Sequence, residues 1–280
     1  MEFPLADLAL ARRLENAWAW TAEESARAHR TAQPEVEIAV EFIAAGVATY
    51  FGPGSPLSQA VALGLEGPVA DDDLDRLEAF YDSRGVATAI EVASLADPGF
   101  LPTLSRRGFS VAEQTHMLIL PLEPKPLIRA PKTSSLTISR VGESDRADWS
   151  STVVKGFFEG SGEPPGGIAE LMTATIEARG ASGWLARIDE QGESVPAGGA
   201  ALFVHDGLAL FAGDATIPAF RGRGVQSALV RARLEESFRH GCDLAVVCTN
   251  PGTTSQRNYE RHGFRLVYAR TLMVRSPRLG

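Results

Sequence analysis

The sequence predicts an α/β protein built from two domains, and three observations carry that prediction. The 280 residues suit two domains of about 100–150 residues each. Segments with helical periodicity alternate with short apolar segments typical of strands in both halves of the chain. Four prolines from Pro121 to Pro131 interrupt this pattern, because proline removes a backbone donor and fixes φ. We therefore divide the chain into residues 1–125 and 126–280.

The second half contains the clearer elements. Asp206-Gly207 is a strong hairpin signal between two apolar segments. Val230, Leu234 and Phe238 recur every four residues with charged residues between them, which predicts an amphipathic helix. Strands are predicted at residues 136–138, 184–188, 199–204, 208–216, 244–249 and 264–274. Helices are predicted at residues 143–158, 222–239 and 254–262.

The first half repeats part of this order. An acidic run at residues 71–73 begins a predicted helix, since carboxylates favour the first turn. Apolar segments typical of strands follow at residues 86–92 and 117–120. Gly108-Phe109 and Gly263-Phe264 both precede a final strand and lie 155 residues apart. The sequence therefore predicts an internal duplication.

The composition excludes several classes of function. A formal net charge of −8 gives the chain no overall attraction for nucleic acid or anionic lipid, so any anion site must be local. No apolar run approaches the ~20 residues of a bilayer span. The N-terminus lacks the basic and apolar segments of a signal peptide. We therefore expect a cytoplasmic protein that binds neither membrane nor nucleic acid.

The two cysteines predict neither a disulfide nor a metal site. Cys242 and Cys248 flank an apolar segment, and as a strand it would hold them roughly 20 Å apart. A disulfide needs Cα atoms within about 7 Å of each other. No histidine or second cysteine pair lies beside them at the spacing of metal ligands. We expect both cysteines to be small buried apolar residues.

The strongest chemical signal is residues 221–227, which follow a predicted strand and open a predicted helix. The first N–H groups of a helix have no internal partner and lie at the positive end of its dipole. Two glycines allow a phosphate to approach the backbone, and two arginines add positive charge. These features predict a pyrophosphate-binding loop, and the alternative is a glycine-rich turn without a ligand.

Two better-known phosphate motifs do not fit this loop. A Walker loop needs Gly-Lys-Ser/Thr after the last glycine, whereas Gly224 is followed by Val225-Gln226. The dinucleotide fingerprint needs a third glycine where Ser227 stands. The predicted loop therefore belongs to neither class.

The loop resembles motif A of the GNAT superfamily of N-acetyltransferases, whose pattern is Gln/Arg-x-x-Gly-x-Gly/Ala. Arg221 and Gly224 fit this pattern, and Gln226 stands where the family has Gly or Ala. Tyr259 lies four residues before Gly263, as in a later motif of the family. The resemblance covers residues 136–275 and implies a mixed central sheet flanked by helices.

For the first half, the resemblance implies a second GNAT-like domain that is degenerate. Asp71, Asp72 and Asp73 begin the helix that corresponds to the one after motif A, and three carboxylates repel a pyrophosphate. Leu104 occupies the position of Tyr259. Only the second domain is therefore expected to bind a cofactor.

The resemblance implies acetyl-CoA as that cofactor, bound where two central parallel strands separate. Backbone groups at the end of the strand before motif A would pair with the pantetheine arm, and the loop would bind the pyrophosphate. The predicted cofactor-binding residues are Asp214, Ala215, Thr216, Arg221, Gly222, Arg223, Gly224, Val225, Gln226, Ser227 and Asn250. Asn250 stands two residues before the family's usual asparagine position, which here holds Gly252.

Tyr259 is the predicted catalytic residue. Its phenol either protonates the departing thiolate as a general acid or packs against the cofactor without proton transfer. Asp214 and Glu159 are the candidates for a general base, although acidic residues at such positions are more often solvated.

The predicted function is direct transfer of an acetyl group from acetyl-CoA to a primary amine of a small molecule or peptide, without a metal. The alternative is a non-catalytic acyl-CoA sensor or scaffold that keeps the GNAT fold. Departures from the family pattern at Gln226 and Gly252 leave this alternative open.

Overall fold

The computed structural model describes residues 3–122, 136–159, 162–164 and 166–278. These residues form two compact units, and neither unit is one continuous stretch of chain. The N-terminal unit takes its described residues from 3–118, 248–253 and 265–278. The C-terminal unit takes them from 119–247 and 254–264. The predicted boundary between residues 125 and 126 lies outside the described residues.

Within those ranges, the chain forms seven α-helices and eleven strands. The helices are α1 (Leu8–Ala32), α2 (Asp71–Asp82), α3 (Phe100–Arg106), α4 (Arg146–Phe158), α5 (Ile168–Glu177), α6 (Val225–Arg239) and α7 (Thr254–Arg261). The strands are β1 (Ala39–Ile43), β2 (Gly46–Tyr50), β3 (Ala60–Val61), β4 (Thr88–Ala93), β5 (Ser110–Pro121), β6 (Leu136–Arg140), β7 (Ala181–Glu190), β8 (Glu193–His205), β9 (Leu208–Thr216), β10 (Leu244–Thr249) and β11 (Arg265–Arg275). None of these helices is both long and apolar enough to cross a bilayer.

The N-terminal unit contains a sheet with strand order β1-β2-β3-β4-β11-β5. Its long helix α1 begins at Leu8 because the side chain of Asp7 accepts a hydrogen bond from the N–H of Leu10 at 2.8 Å. In the core, Leu77 of α2 packs with Ile90 of β4. The order β3-α2-β4-α3-β5 in the first half matches the order β9-α6-β10-α7-β11 in the second.

The last strand of the chain completes the sheet of the N-terminal unit. β11 pairs antiparallel with β4, from Arg270 opposite Ala93 to Arg275 opposite Thr88. Met273 of β11 is buried in the same core as β4. The predicted division placed this strand with residues 126–280, whereas its residues belong to the N-terminal unit. Local periodicity specifies that a segment is a strand but does not specify which distant strand it pairs with.

The C-terminal unit contains a mixed sheet with strand order β10-β9-β8-β7-β6, in agreement with the predicted fold class. Neighbouring strands from β6 to β9 are antiparallel, and β9 and β10 are parallel. Asp206 and Gly207 form the turn between β8 and β9 with positive φ values of 47° and 73°, as expected for their hairpin signal. Helix α5 was not predicted.

Two glycines of β8 allow helices to approach this sheet closely from both faces. A Cβ at Gly199 would lie 2.6 Å from Cγ2 of Val153 in α4, and one at Gly198 would lie 2.5 Å from Cγ1 of Val225 in α6. Because neighbouring residues of a strand face opposite sides, α4 and α6 lie on opposite faces of the sheet. The first turn of α6 is thereby fixed against β8.

Candidate functional site

The parallel ladder between β9 and β10 ends before β9 does. It runs from Leu208 opposite Leu244 to Phe211 opposite Val247, whereas β9 continues to Thr216 along β8. The β8–β9 register shifts at this point, and Gly213 inside the shift has a φ of 63°. Such a bulge bends its strand and increases the local twist. Residues 212–216 therefore extend beyond the parallel ladder.

The loop after β9 places the start of α6 beside this strand end. Gly222 and Gly224 have φ values of 76° and 81°, a conformation that favours glycine. A Cβ added at either glycine would meet nothing within 4 Å. The first helix hydrogen bond of α6 joins the N–H of Ala228 to the carbonyl of Gly224 at 3.0 Å. The N–H groups of residues 225–227 precede it and point out of the helix start, as an anion site requires.

The two arginines of the loop are held in different ways. Arg221 donates to the carbonyl of Thr216 at 3.3 Å and to the carbonyl of Gly156 at 3.2 Å. Because these partners are neutral, the positive charge of Arg221 stays available to an anion. Arg223 forms an ion pair with Glu190 and lies over the ring of Phe220, 5.5 Å from its centroid. Both arginine side chains are exposed.

The side chain of Gln226 connects α6 to α7. Its Nε2 donates to Oγ of Ser255 at 3.2 Å, and its Oε1 accepts a hydrogen bond from Nδ2 of Asn258. The amide that departs from motif A is thus bonded to the next helix. The long side chain of Gln226 thus connects α6 to α7.

Behind the loop, three polar side chains form a buried triad: Asp214 of β9, Arg233 of α6 and Tyr259 of α7. Arg233 and Tyr259 are 0% exposed. The Tyr259 hydroxyl donates to Oδ2 of Asp214 at 2.7 Å and accepts from Nη2 of Arg233 at 3.2 Å. Arg233 also bonds both carboxylate oxygens of Asp214, with 3.0 Å between Nη1 and Oδ2. The triad links three elements that surround the candidate site.

Residues 154–264 match the acetyltransferase (GNAT) family. This segment is similar to a GNAT acetyltransferase domain, and we refer to it as the GNAT domain. It contains the loop, the start of α6 and all three members of the buried triad. No curated protein matches the chain in sequence.

Three solved structures share the fold of the chain. A GCN5-related N-acetyltransferase from Kribbella flavida has a TM-score of 0.63 at 17% identity, over 91% of this chain and 96% of that one. A GCN5-related N-acetyltransferase from Sphaerobacter thermophilus has a TM-score of 0.60 at 17% identity, over 84% and 73%. A tandem GNAT protein from the clavulanic acid biosynthesis pathway has a TM-score of 0.61 at 12% identity, over 89% and 87%. At these identities the likeness concerns the fold alone.

Within the GNAT domain, Tyr259 is part of an aromatic cluster. Its ring lies edge-on to Phe264 and Phe211, with centroids 5.0 Å and 6.2 Å away. Burial raises the pKa of Tyr259 well above its usual range; the Arg233 guanidinium opposes this rise and the Asp214 carboxylate adds to it. The phenol is therefore protonated at neutral pH, with its proton directed at Asp214.

The other predicted residues do not all lie at the candidate site. Ala215 is buried against α4, where a Cβ on Gly156 would lie 2.7 Å from Cβ of Ala215. Glu159 is exposed directly after α4. Asn250 belongs to the N-terminal unit, where its amide bonds Glu113. Both oxygens of Asp214 accept hydrogen bonds from Arg233 or Tyr259, which disfavours a role of this carboxylate as general base.

Arg233 was not predicted as a site residue. The amphipathic pattern placed it among the charged positions of the helix, yet Arg233 lies one turn after Leu229 on the buried side of α6. A basic residue on an apolar stripe requires a buried acceptor. The matching signal is Asp214 within the otherwise apolar strand β9.

Proposed function

We propose that the GNAT domain binds acetyl-CoA and transfers its acetyl group directly to a primary amine of a small molecule or peptide. The observation that carries this proposal is the start of α6. There, free N–H groups, two open glycine positions and Arg221 converge inside the segment that matches the family. A site of this kind suits a pyrophosphate.

The residues present fit the cofactor. The N–H groups of residues 225–227 would bind the pyrophosphate, with Arg221 and Arg223 at its side. Residues 214–216, beyond the parallel ladder, would pair with the amides of the pantetheine arm. When bound, acetyl-CoA supplies an activated acetyl thioester.

Tyr259 is the proposed general acid. Its hydroxyl holds a proton at neutral pH, which the role requires. That proton is donated to Asp214, so the phenol must change its hydrogen-bond partner before it can protonate a leaving group. Asp214 would still accept both hydrogen bonds from Arg233 after this change, so its carboxylate would keep a positively charged partner.

Direct transfer is proposed because the candidate site holds no thiol nucleophile among its described residues. Cys242 is buried after the C-terminal end of α6, opposite the end that carries the loop. Cys248 belongs to the N-terminal unit, and burial raises the pKa of its thiol.

We also propose that the first half of the chain is a GNAT-like region that has lost cofactor binding. Its order of strands and helices from β3 to β5 supports the relationship. The first turn of α2 consists of Asp71, Asp72 and Asp73, which would repel a pyrophosphate. Leu104 takes the place of the phenol and is fully buried.

The test compares two glycine variants at opposite ends of α6. Gly224 and Gly241 both have positive φ, and a Cβ at either would meet nothing within 4 Å. CoA should raise the melting temperature of the wild type by mass action. Gly224→Glu should abolish that rise by placing a carboxylate in the loop, and Gly241→Glu should keep it. An unchanged CoA response in Gly224→Glu would refute the site.

Turnover is measured separately, as CoA release from acetyl-CoA across a panel of primary amines. Amine-dependent release supports the transferase. CoA binding without release from any amine would favour the sensor or scaffold.

A further inference from the structure

Arg233 bonds groups on more elements around the candidate site than any of the predicted site residues. Its guanidinium donates to the carbonyl of Ala201 on β8 at 3.0 Å and to that of Leu229 on α6 at 3.2 Å. The same group bonds Asp214 on β9 and Tyr259 on α7. Its Cζ lies 4.4 Å from the ring centroid of Phe211. One buried cation therefore joins four elements.

Stability alone does not account for this arrangement. Removing an arginine and a carboxylate from water costs several kcal/mol per ion, of the order that their attraction returns. Apolar residues of similar volume often stabilise a core equally well or better. The pair therefore suggests a role in fixing a geometry.

The geometry that it fixes is the bulged end of β9. Ala201 lies opposite Ala212, Gly199 lies opposite Ala215, and Asp214 falls within the shift between these pairs. Arg233 bonds the carbonyl of Ala201 at one end of the shift and the Asp214 side chain within it. The course of the next residues, Ala215 and Thr216, is set by this bridge.

The same bridge orients the phenol. Tyr259 has one hydroxyl donor, directed at Asp214, and its oxygen accepts from Arg233. The aromatic rings that pack against Tyr259 belong to Phe211 and Phe264 and carry no charge. Among the described residues, the charged groups bonded to the hydroxyl are thus Asp214 from β9 and Arg233 from α6.

We propose that Arg233 is a positioning residue of the GNAT domain, which holds the end of β9 and the Tyr259 phenol in place through Asp214. The inference rests on the proposed function, since it concerns the same site. It goes further by assigning a role to a buried pair that motif A does not include.

The main variant is the double replacement Asp214→Leu/Arg233→Leu, which removes both charges together. Arg233→Leu alone leaves Asp214 buried and unpaired, so it should lower the melting temperature strongly. The double variant should recover most of that loss. It should nevertheless bind CoA more weakly and show a kcat at least about tenfold lower, because β9 and the phenol lose their common support. Arg187→Leu, which breaks the partly exposed ion pairs of Arg187 with Asp145 and Asp148 in the same unit, is the matched control and should keep wild-type kcat.

A mutant cycle with Tyr259→Phe separates positioning from simple packing. If Arg233 and Asp214 act through the phenol, Tyr259→Phe should lower kcat in the wild type and have little further effect in the double variant. Equal effects of Tyr259→Phe in both backgrounds, or wild-type kcat and CoA affinity in the double variant, would overturn the inference. Failure of the proposed function is distinguishable, because the wild type itself would then bind no CoA or transfer no acetyl group.

If the double variant does not fold, Asp214→Asn gives the same decision. Asparagine keeps the size of the side chain and an acceptor for Arg233 but changes the group that the phenol faces. We expect a lower melting temperature, because the Arg233 guanidinium loses its buried counter-charge, and a reduced kcat when turnover is measured well below that temperature. An unchanged kcat would again overturn the inference.

Discussion

Helices α2 and α6 occupy the same place in the order of elements of the two halves, but they begin with opposite chemistry. α6 starts after Gly224 with no acidic residue in its first turn, whereas α2 starts with Asp71, Asp72 and Asp73. Carboxylates stabilise a helix start through the same N–H groups and dipole that attract a phosphate. The residues of this first turn therefore decide whether the helix start is stabilised by its own carboxylates or is left open to an anion.

The surroundings of α2 strengthen this contrast. Arg107 donates to Glu78 at 2.6 Å and to Asp71 at 3.2 Å, and it also bonds Asp75. Arg76 pairs with Asp73. The basic residues near α2 thus bond its own carboxylates and are not available to a ligand, whereas Arg221 near α6 bonds only carbonyl groups among the described residues.

The number of CoA molecules bound per chain tests this comparison most directly. Calorimetry with CoA should give one site per chain, because the acidic start of α2 repels the pyrophosphate. Gly224→Glu should reduce this number to zero, which assigns the site to α6. Two equivalent sites in the wild type would mean that α2 binds as well and that the contrast has no functional meaning.

The second comparison concerns Tyr259 and Leu104, which lie five residues before Phe264 and Phe109 and are both fully buried. If the phenol is a general acid, Tyr259→Phe should lower kcat by about 10²-fold and leave CoA affinity nearly unchanged. Steady-state kinetics and calorimetry on the same variant measure both effects.

Tyr268→Phe is the matched control for Tyr259→Phe. It also removes a buried phenol hydroxyl, which donates to Glu15 at 2.7 Å in the N-terminal unit. It should keep wild-type kcat. A Tyr259→Phe enzyme with near wild-type kcat at neutral pH would reject the acid role and leave the transferase proposal intact.

The stability of the N-terminal unit should depend on acid. His29 of the N-terminal unit is buried, and burial lowers its pKa below the usual 6.5, with a smaller opposing effect of Glu35. The unfolded chain then binds more protons than the native one below pH 6.5, so stability is full above that pH and is lost as the pH falls through the folded pKa. Each pKa unit corresponds to about 1.4 kcal/mol.

Urea unfolding at neutral and mildly acidic pH measures this loss. His29→Leu should reduce it, because the substitution removes the buried imidazole. Identical pH dependence in the wild type and His29→Leu would show that other groups control acid stability.

The smallest expected effect concerns Gln226. Gln226→Ala restores a residue type of motif A and removes the bonds to Ser255 and Asn258. Loss of these partly buried bonds should cost about 1 kcal/mol in unfolding free energy. CoA affinity should change less than about threefold, because the amide is bonded to α7. CoA binding that becomes tenfold tighter would show instead that Gln226 crowds the loop.

Local patterns were sufficient for the elements that frame the site. The Asp206-Gly207 turn, the strand before the loop and the glycine-rich start of α6 follow from residues that are close in sequence. The Asp214–Arg233 pair was not predicted, because its members lie on different elements and only the fold reveals that Arg233 is buried beside Asp214. The partner of β11 was missed for the same reason, since pairing with β4 joins residues more than 170 positions apart.

The placement of β11 has a consequence for how the protein is made. A ribosome synthesises Thr88–Ala93 well before the strand that pairs with it, because more than 170 residues of chain separate paired positions. The sheet of the N-terminal unit therefore keeps an unpaired edge at β4 until β11 has been synthesised. Unpaired strand edges promote aggregation during such an interval. Expression of the first half alone would yield a sheet that lacks an interior strand.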